Sequence, residues 1–172
     1  CRNRIRRRKA FNKNKQNSET RMTQIKILWK NKTWEQLTIN ETHEIFALRS
    51  RVFVVEQNCV YQDIDDKDPK AVHVYGVYKN NIIAYTRLFN EGAYFKEASF
   101  GRAVVEKKHR GKGLGDQLMK ETLAVMKLNW PNKKIKISAQ AHLLGFYQKH
   151  GFTPKGKEYL EDGIPHISME TF

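Results

Sequence analysis

The sequence predicts an α+β fold, a mixed and partly parallel β-sheet flanked by helices in a single domain. Three observations carry this. The first half holds apolar, β-branched runs separated by short polar turns; a strand–helix–strand–helix unit follows from Ala98; and the chain closes on a hairpin turned at Glu161-Asp-Gly163. With 172 residues, 40% of them hydrophobic, there is enough chain to bury a core.

Each element has its own signal. Ile25–Trp29 and Thr33–Thr38 read as two short strands around a polar turn at Asn31-Lys32. Thr42 to Gln57 reads as a helix, with Ile45, Leu48, Val52 and Val55 at three- and four-residue steps and Asn40 or Thr42 as its cap. Asn58 to Lys70 is an acidic loop that Pro69 closes. Val72–Tyr78 and Ile82–Asn90 are strands of a hairpin turned at Asn80-Asn81. Ala98–Val105 is the next strand. Gly111–Leu128 is the long helix, with Leu114, Leu118, Val125 and Met126 facing inward and Pro131 beyond its end. Ile135–Ala139 is a strand, Ala141–His150 a short helix stopped by Gly151, and Phe152–Tyr159 and Ile164–Thr171 the final pair.

Charge is unevenly spread. The net charge is +14, and residues 1–21 hold nine Lys or Arg against the single acid Glu19, over half the excess in about an eighth of the length. With only Ile5, Ala10 and Phe11 as apolar anchors, this arm is expected to be disordered. The chain starts at Cys1 and patterned sequence begins at Met22, so residues 1–21 are expected to be a non-native leader and 22–172 the folded domain. A run such as Arg6-Arg-Arg-Lys9 suits nucleic acid or an anionic membrane, but no basic patch with interleaved aromatics stands out in the body, so nucleic-acid binding ranks low. No apolar run approaches the ~20 residues of a membrane span. Two cysteines, Cys1 and Cys59, make no disulfide framework and suit a cytoplasmic protein.

The most informative stretch is Arg110-Gly-Lys-Gly-Leu-Gly115, lying between the apolar run Ala103-Val-Val105 and the long helix. Glycines at the mouth of a helix let backbone N–H groups close on an anion, and the helix start adds partial positive charge. Arg110 and Lys112 add formal charge. The pattern Arg-x-x-Gly-x-Gly is neither the dinucleotide fingerprint nor the Walker loop.

This motif, followed by Ala139-Gln-Ala-His-Leu-Leu-Gly-Phe-Tyr-Gln-Lys-His-Gly-Phe152, resembles the GNAT superfamily of N-acetyltransferases. Arg51-Val-Phe-Val-Val-Glu-Gln57, Asp63-Ile-Asp-Asp-Lys-Asp68 and Glu161-Asp-Gly-Ile-Pro-His166 narrow the resemblance to its ElaA-like branch, from about Met22 to the C-terminus. The resemblance implies a sheet splayed between the strand of Ala103–Val105 and that of Ile135–Ala139, with the acyl-pantetheine arm of acetyl-CoA in the gap. It implies that Ala103 and Val105 offer backbone groups to that arm, that Val104 and Val105 polarise the thioester carbonyl, and that Arg110, Gly111, Lys112, Gly113, Leu114 and Gly115 hold the pyrophosphate. Gln140 stands where many members carry an asparagine that contacts the cofactor. Tyr147 matches the tyrosine near the cofactor sulfur, whose phenol protonates the departing thiolate. A homodimer is also within the family's habits.

The implied reaction is direct attack of a neutral amine, on a small molecule, peptide or protein, upon the thioester. A group must take the amine's proton, and the candidates are Glu56, His142, His73 and His166, none singled out by spacing. Each has a plainer reading: Glu56 as a solvated helix-end acid, His142 as a helix-start residue bonding backbone, His166 and His73 as structural histidines. A non-catalytic acyl-CoA sensor on the same fold is the other functional reading. The acidic loop fails the EF-hand pattern, since Lys67, Asp68 and Val74 stand where a ligand, a glycine and the closing glutamate belong, so no metal is expected. Asp63, Asp65, Asp66 and Asp68 would instead draw a cationic amine inward, or form a solvated loop. Cys59 has no histidine placed by sequence to activate it and is expected as a small core residue.

Overall fold

The computed structural model describes residues 26–171, so the basic arm and the residues up to Gln24 and Ile25 lie outside the described residues. Strands β1 (Leu28–Thr33), β2 (Val72–Tyr78), β3 (Asn81–Phe89) and β4 (Ser99–Val105) form an antiparallel sheet in that order. Strands β5 (Lys136–Gln140), β7 (Ile164–Glu170) and β6 (Thr153–Glu161) form a second, with β7 in the middle. The sheets meet at one parallel bridge, Ala98 to Ile135, where the Lys136 N–H donates to the Ala98 carbonyl at 2.9 Å. Beyond it β4 and β5 part.

Helices cover both faces of the first sheet, because neighbouring strand residues point to opposite sides. Val74, Leu88 and Phe100 face α2 (Leu114–Asn129) through Met119 and Met126, and α3 (Leu144–Lys149) joins the same core through Tyr147. Tyr75, Tyr85 and Val104 face α1 (Ile39–Arg49) through Ile45 and Leu48. The predicted inner face of the long helix is buried at Leu114, Leu118, Val125 and Met126. Both predicted hairpins form. The first turns at Lys79-Asn80, one residue before the expected Asn80-Asn81, because Asn81 already pairs with Tyr78; the last turns at Asp162-Gly163, and φ is positive at all four turn residues.

Three local expectations are corrected. Asn31 and Lys32, expected as the turn of a hairpin, instead pair with Val74 and His73 inside β1. The strand ends at Thr33 because Trp34 turns inward onto the rings of Phe46 and His73, and the Thr33 N–H is taken by Gln36 Oε1 at 2.9 Å. The first helix starts earlier, capped by Thr38, whose hydroxyl accepts the Glu41 N–H while Glu41 accepts the Thr38 N–H. It also changes pitch. Ser50–Glu56 is π-helical, with the Gln57 N–H bonded to the Val52 carbonyl and Cys59 to Val54. The wider turn rotates Val55, expected on the inner face, out to 71% exposure. The long helix begins at Leu114 because Gly111 and Gly113 have φ near +74°, which no α-helix accommodates.

Two carboxylates tie the fold to pH. Burial pushes Glu41 up, but hydrogen bonds from Lys32, Tyr75 and the Thr38 backbone outweigh it and hold the group at about 2 rather than 4.5. Burial likewise pushes Asp65 up, and the paired contacts of Arg87 more than reverse it, to about 2 rather than 3.8. Both bind protons more weakly when folded, so their stabilisation is full above about pH 4.5 and is lost as pH falls toward 2. Unfolding titrated from pH 6 to pH 2 should show this loss, and Glu41→Gln should flatten it. An equal acid slope in that variant would count against the assignment.

Candidate active site

The parting of β4 from β5 opens a cavity of about 590 Å³. One wall is β4 itself, from Phe100 to Val105; the facing wall is Ile137, Ser138 and Gln140 of β5. Strand β4 has β3 on one side only, so past Ala98 its other backbone edge has no strand to pair with among the described residues. Within it Arg102 has φ +53°, a left-handed conformation that costs a non-glycine residue about 1–2 kcal/mol, and the β3–β4 register slips there. This bulge bends the strand at the mid-point of the cavity wall.

One end of the cavity is the glycine loop. Gly111 and Gly113 need their positive φ, and a Cβ on either would meet nothing within 4 Å, so the loop lies open. Helix α2 makes its first bond from the Gln117 N–H to the Gly113 carbonyl, and Gly113 has no side chain to cap it. The N–H groups of Leu114, Gly115 and Asp116 therefore lack intrahelical acceptors at the positive end of a 16-residue helix. Arg110 lies over this end. Its Nε donates to the Val105 carbonyl at 2.8 Å, and its terminal nitrogens clasp Glu56, the longer contact being 3.3 Å.

Most sequence-predicted residues gather here: Ala103, Val104, Val105, Arg110, Gly111, Gly113, Leu114, Gly115, Gln140, His142 and Tyr147 all line the cavity. Lys112 does not; it is exposed and reaches the Lys108 carbonyl at 3.5 Å. Nor does Glu56, which stands behind Arg110 and is held below the usual carboxylate range by that hydrogen bond. Gln140 Nε2 bridges to Gln57 Oε1 at 3.3 Å, linking α3's approach to the π-helical turn. Tyr147 packs against Phe100, Phe146 and Phe152, and burial pushes its phenol up to about 12.

The histidines divide. His142 is exposed at the cavity wall. His166 also lines it, and its Nδ1 lies 2.8 Å from the Ile164 carbonyl. A carbonyl only accepts, so Nδ1 carries the proton and Nε2 of the neutral ring is free to accept one. His73 is elsewhere. It is fully buried between the Tyr85 hydroxyl at 2.8 Å and the Asp68 carbonyl at 3.0 Å, and burial lowers its pKa.

The acidic loop is neither solvated nor free to attract a cation. Arg49 is 0% exposed and donates to Asp63 at 2.9 Å and Asp68 at 2.6 Å; Arg87 clamps Asp65 and Asp68; Arg102 Nε donates to Asp63 at 2.8 Å. Only Asp66 of the four is exposed. The loop is thereby pinned beside the cavity. Cys59, expected in the core, is instead half-buried at the cavity wall, its Sγ 3.6 Å from the Asp162 carbonyl. Among the described residues no cluster of His, Cys, Asp and Glu is arranged to hold a metal, and no helix is long and apolar enough to cross a membrane.

Residues 34–171 match the model of the Acetyltransferase (GNAT) domain family. The chain belongs to the GNAT family. It is 40% identical over 145 residues to protein ElaA of Escherichia coli (strain K12), covering 83% of this chain and 95% of ElaA, which sets it in the ElaA-like branch. The crystal structure of Escherichia coli ElaA matches with a TM-score of 0.81 at 38% identity, over 86% of this chain and all of that one. An acyl-CoA N-acyltransferase from Pseudomonas aeruginosa matches with a TM-score of 0.82 at 36% identity, over the same shares. As a GNAT protein the chain is of an acyltransferase family, and its splayed sheet is the fold those relatives share.

Sequence reasoning missed several residues at this GNAT cavity. Arg102, Tyr94, Ser138 and Glu161 all line it. Glu161 opens one of the stretches that carry the resemblance, but nothing in it marks a cavity role, and Arg102, Tyr94 and Ser138 sit in no motif; the fold alone brings the four together.

Proposed function

We propose that this protein is an acetyl-CoA-dependent N-acetyltransferase that works by direct attack of a primary amine on the thioester. The observation that carries the reading is the single cavity joining an unpaired β4 edge to an uncapped, glycine-opened helix start. That combination suits a ligand with an extended amide-bearing arm at one end and a diphosphate at the other. The relative at 36% identity named as an acyl-CoA N-acyltransferase supports the same choice.

Acetyl-CoA would bring the thioester to this cavity. Ala103 and Val105 would pair through backbone groups with its arm, and N–H groups at Val104–Val105 would stabilise charge building on the carbonyl oxygen. Gly111 to Gly115 and Arg110 would hold the diphosphate, with Lys112 adding long-range attraction and Gln140 lining the arm. His142, or His166 with its Nε2 free, would take the amine's proton. The Tyr147 phenol would return a proton to sulfur. Glu56, ionised against Arg110, is a weak proton acceptor and is better placed as that arginine's counter-ion.

Two measurements follow. Coenzyme A at about 100 times its Kd should stabilise the fold by about 2.7 kcal/mol, read as a rise in Tm. Glu56→Gln should enlarge the rise at a fixed subsaturating concentration, because Arg110 is released for phosphate. No rise with millimolar coenzyme A would sink the reading, and a Glu56→Gln protein that binds coenzyme A normally but loses turnover would restore Glu56 as the base.

A further inference from the structure

Resting on that reading, we propose that the acceptor is an amine that also carries a carboxylate, as a free amino acid does, with Arg102 receiving the carboxylate and Glu161 the ammonium. Arg102 comes from the bulge in β4 and is held on three sides. Its Nε donates to Asp63, and its guanidinium lies 5.2 Å from the Tyr61 ring centre and 5.9 Å from that of Phe53. Yet the two terminal nitrogens make no hydrogen bond among the described residues, the side chain is 21% exposed, and it lines the cavity. A planar fork held by its stem with both prongs open fits a carboxylate. Arg87, whose Nε is buried without a hydrogen-bond partner among the described residues, lines the same cavity.

The opposite wall carries the complementary charge. Glu161 Oε2 accepts from Ser138 Oγ at 2.6 Å, and that hydroxyl also meets the Tyr159 hydroxyl at 2.5 Å. Oε1 makes no hydrogen bond among the described residues. Arg102 and Glu161 do not pair with each other, although both act on the phenol of Tyr94, which burial pushes up, Glu161 pushing further and Arg102 opposing. A bare carboxylate oxygen and a bare guanidinium fork across one space suit a zwitterion. Transfer would form the N–acyl bond and break the C–S bond; the ammonium loses two protons, one ending on sulfur and one leaving to solvent. The amide product keeps its carboxylate but no longer its positive charge, so it loses the hold of Glu161.

The test compares free amino acids with their carboxamides and decarboxylated amines. Thiol release from acetyl-CoA gives kcat and KM, and calorimetry on protein saturated with coenzyme A gives affinity without turnover. The carboxylate forms should be preferred roughly 10- to 100-fold, the worth of a charge-assisted hydrogen-bond pair. Arg102→Gln should erase the preference through KM while leaving the carboxamides within about twofold, and Arg102→Lys should restore part of it. A merely structural Arg102 would lower both substrate sets alike, and that result would overturn the proposal, as would equal use of carboxylate and carboxamide, or binding by no amino acid at all. Amino acids that bind through Arg102 without any acetyl release would keep the subsite and sink the transfer reading instead.

Discussion

Arg49→Met is expected to cost about 3–5 kcal/mol of unfolding free energy, because it strands buried carboxylates without their partner. The guanidinium is fully buried, with Nε on Asp63, one terminal nitrogen on Asp68 and the other on the Asp63 carbonyl at 2.7 Å. Met keeps the apolar stem but leaves the place of the guanidinium empty, so the loss combines uncompensated charge with a small cavity. Arg49→Lys should recover only part, since an ammonium cannot span the three acceptors that the planar fork reaches. Urea unfolding of the three proteins checks this. A loss below about 1 kcal/mol for Arg49→Met would mean that Arg87 and Arg102 neutralise the loop alone. The same substitution should weaken the cavity wall, because Asp63 is also the anchor of Arg102.

How far such features can be read from sequence depends on how local their physics is. The Asp162-Gly163 turn is legible, and the Lys79-Asn80 turn to within one residue, because two adjacent residues with positive φ suffice to close a hairpin. The start of α2 is legible in its glycines, to within the three residues by which their φ values delay the helix. The path of β1 is not, since only the β2 edge decides whether Asn31 and Lys32 turn or pair. The π-helical turn is equally hidden: its residues have an ordinary helical pattern, and the shift shows only in where Val55 points.

The site divides the same way. Its glycine loop and Tyr147 stand in contiguous motifs, so resemblance locates them. The acidic loop advertises negative charge, but its neutralisation comes from Arg49, Arg87 and Arg102 on three separate elements, and no spacing rule links Asp63 to an arginine 39 residues away. Ser138 and Glu161 meet across β5 and β6 although β7 lies between them in the sheet. This side of the cavity is therefore the least legible layer, because it is assembled by the splay itself.

Tyr147→Phe is expected to lower kcat by about 100-fold, the lower range for loss of a positioned proton donor, while leaving the Kd for coenzyme A within about twofold. The stability should hold, since the hydroxyl makes no hydrogen bond among the described residues and the ring keeps its contacts with Phe100, Phe146 and Phe152. At 7% exposure the phenol is shielded from water, and burial lifts it to about 12. A raised pKa keeps the donor protonated at every working pH, so the wild-type kcat profile should show no alkaline limb from this group below about pH 11. Any rise in kcat between pH 6 and 8 would then belong to the group that takes the amine's proton, and it should persist at reduced height in Tyr147→Phe. A phenylalanine variant with undiminished single-turnover rate would remove Tyr147 from the chemistry and leave thiolate departure to solvent.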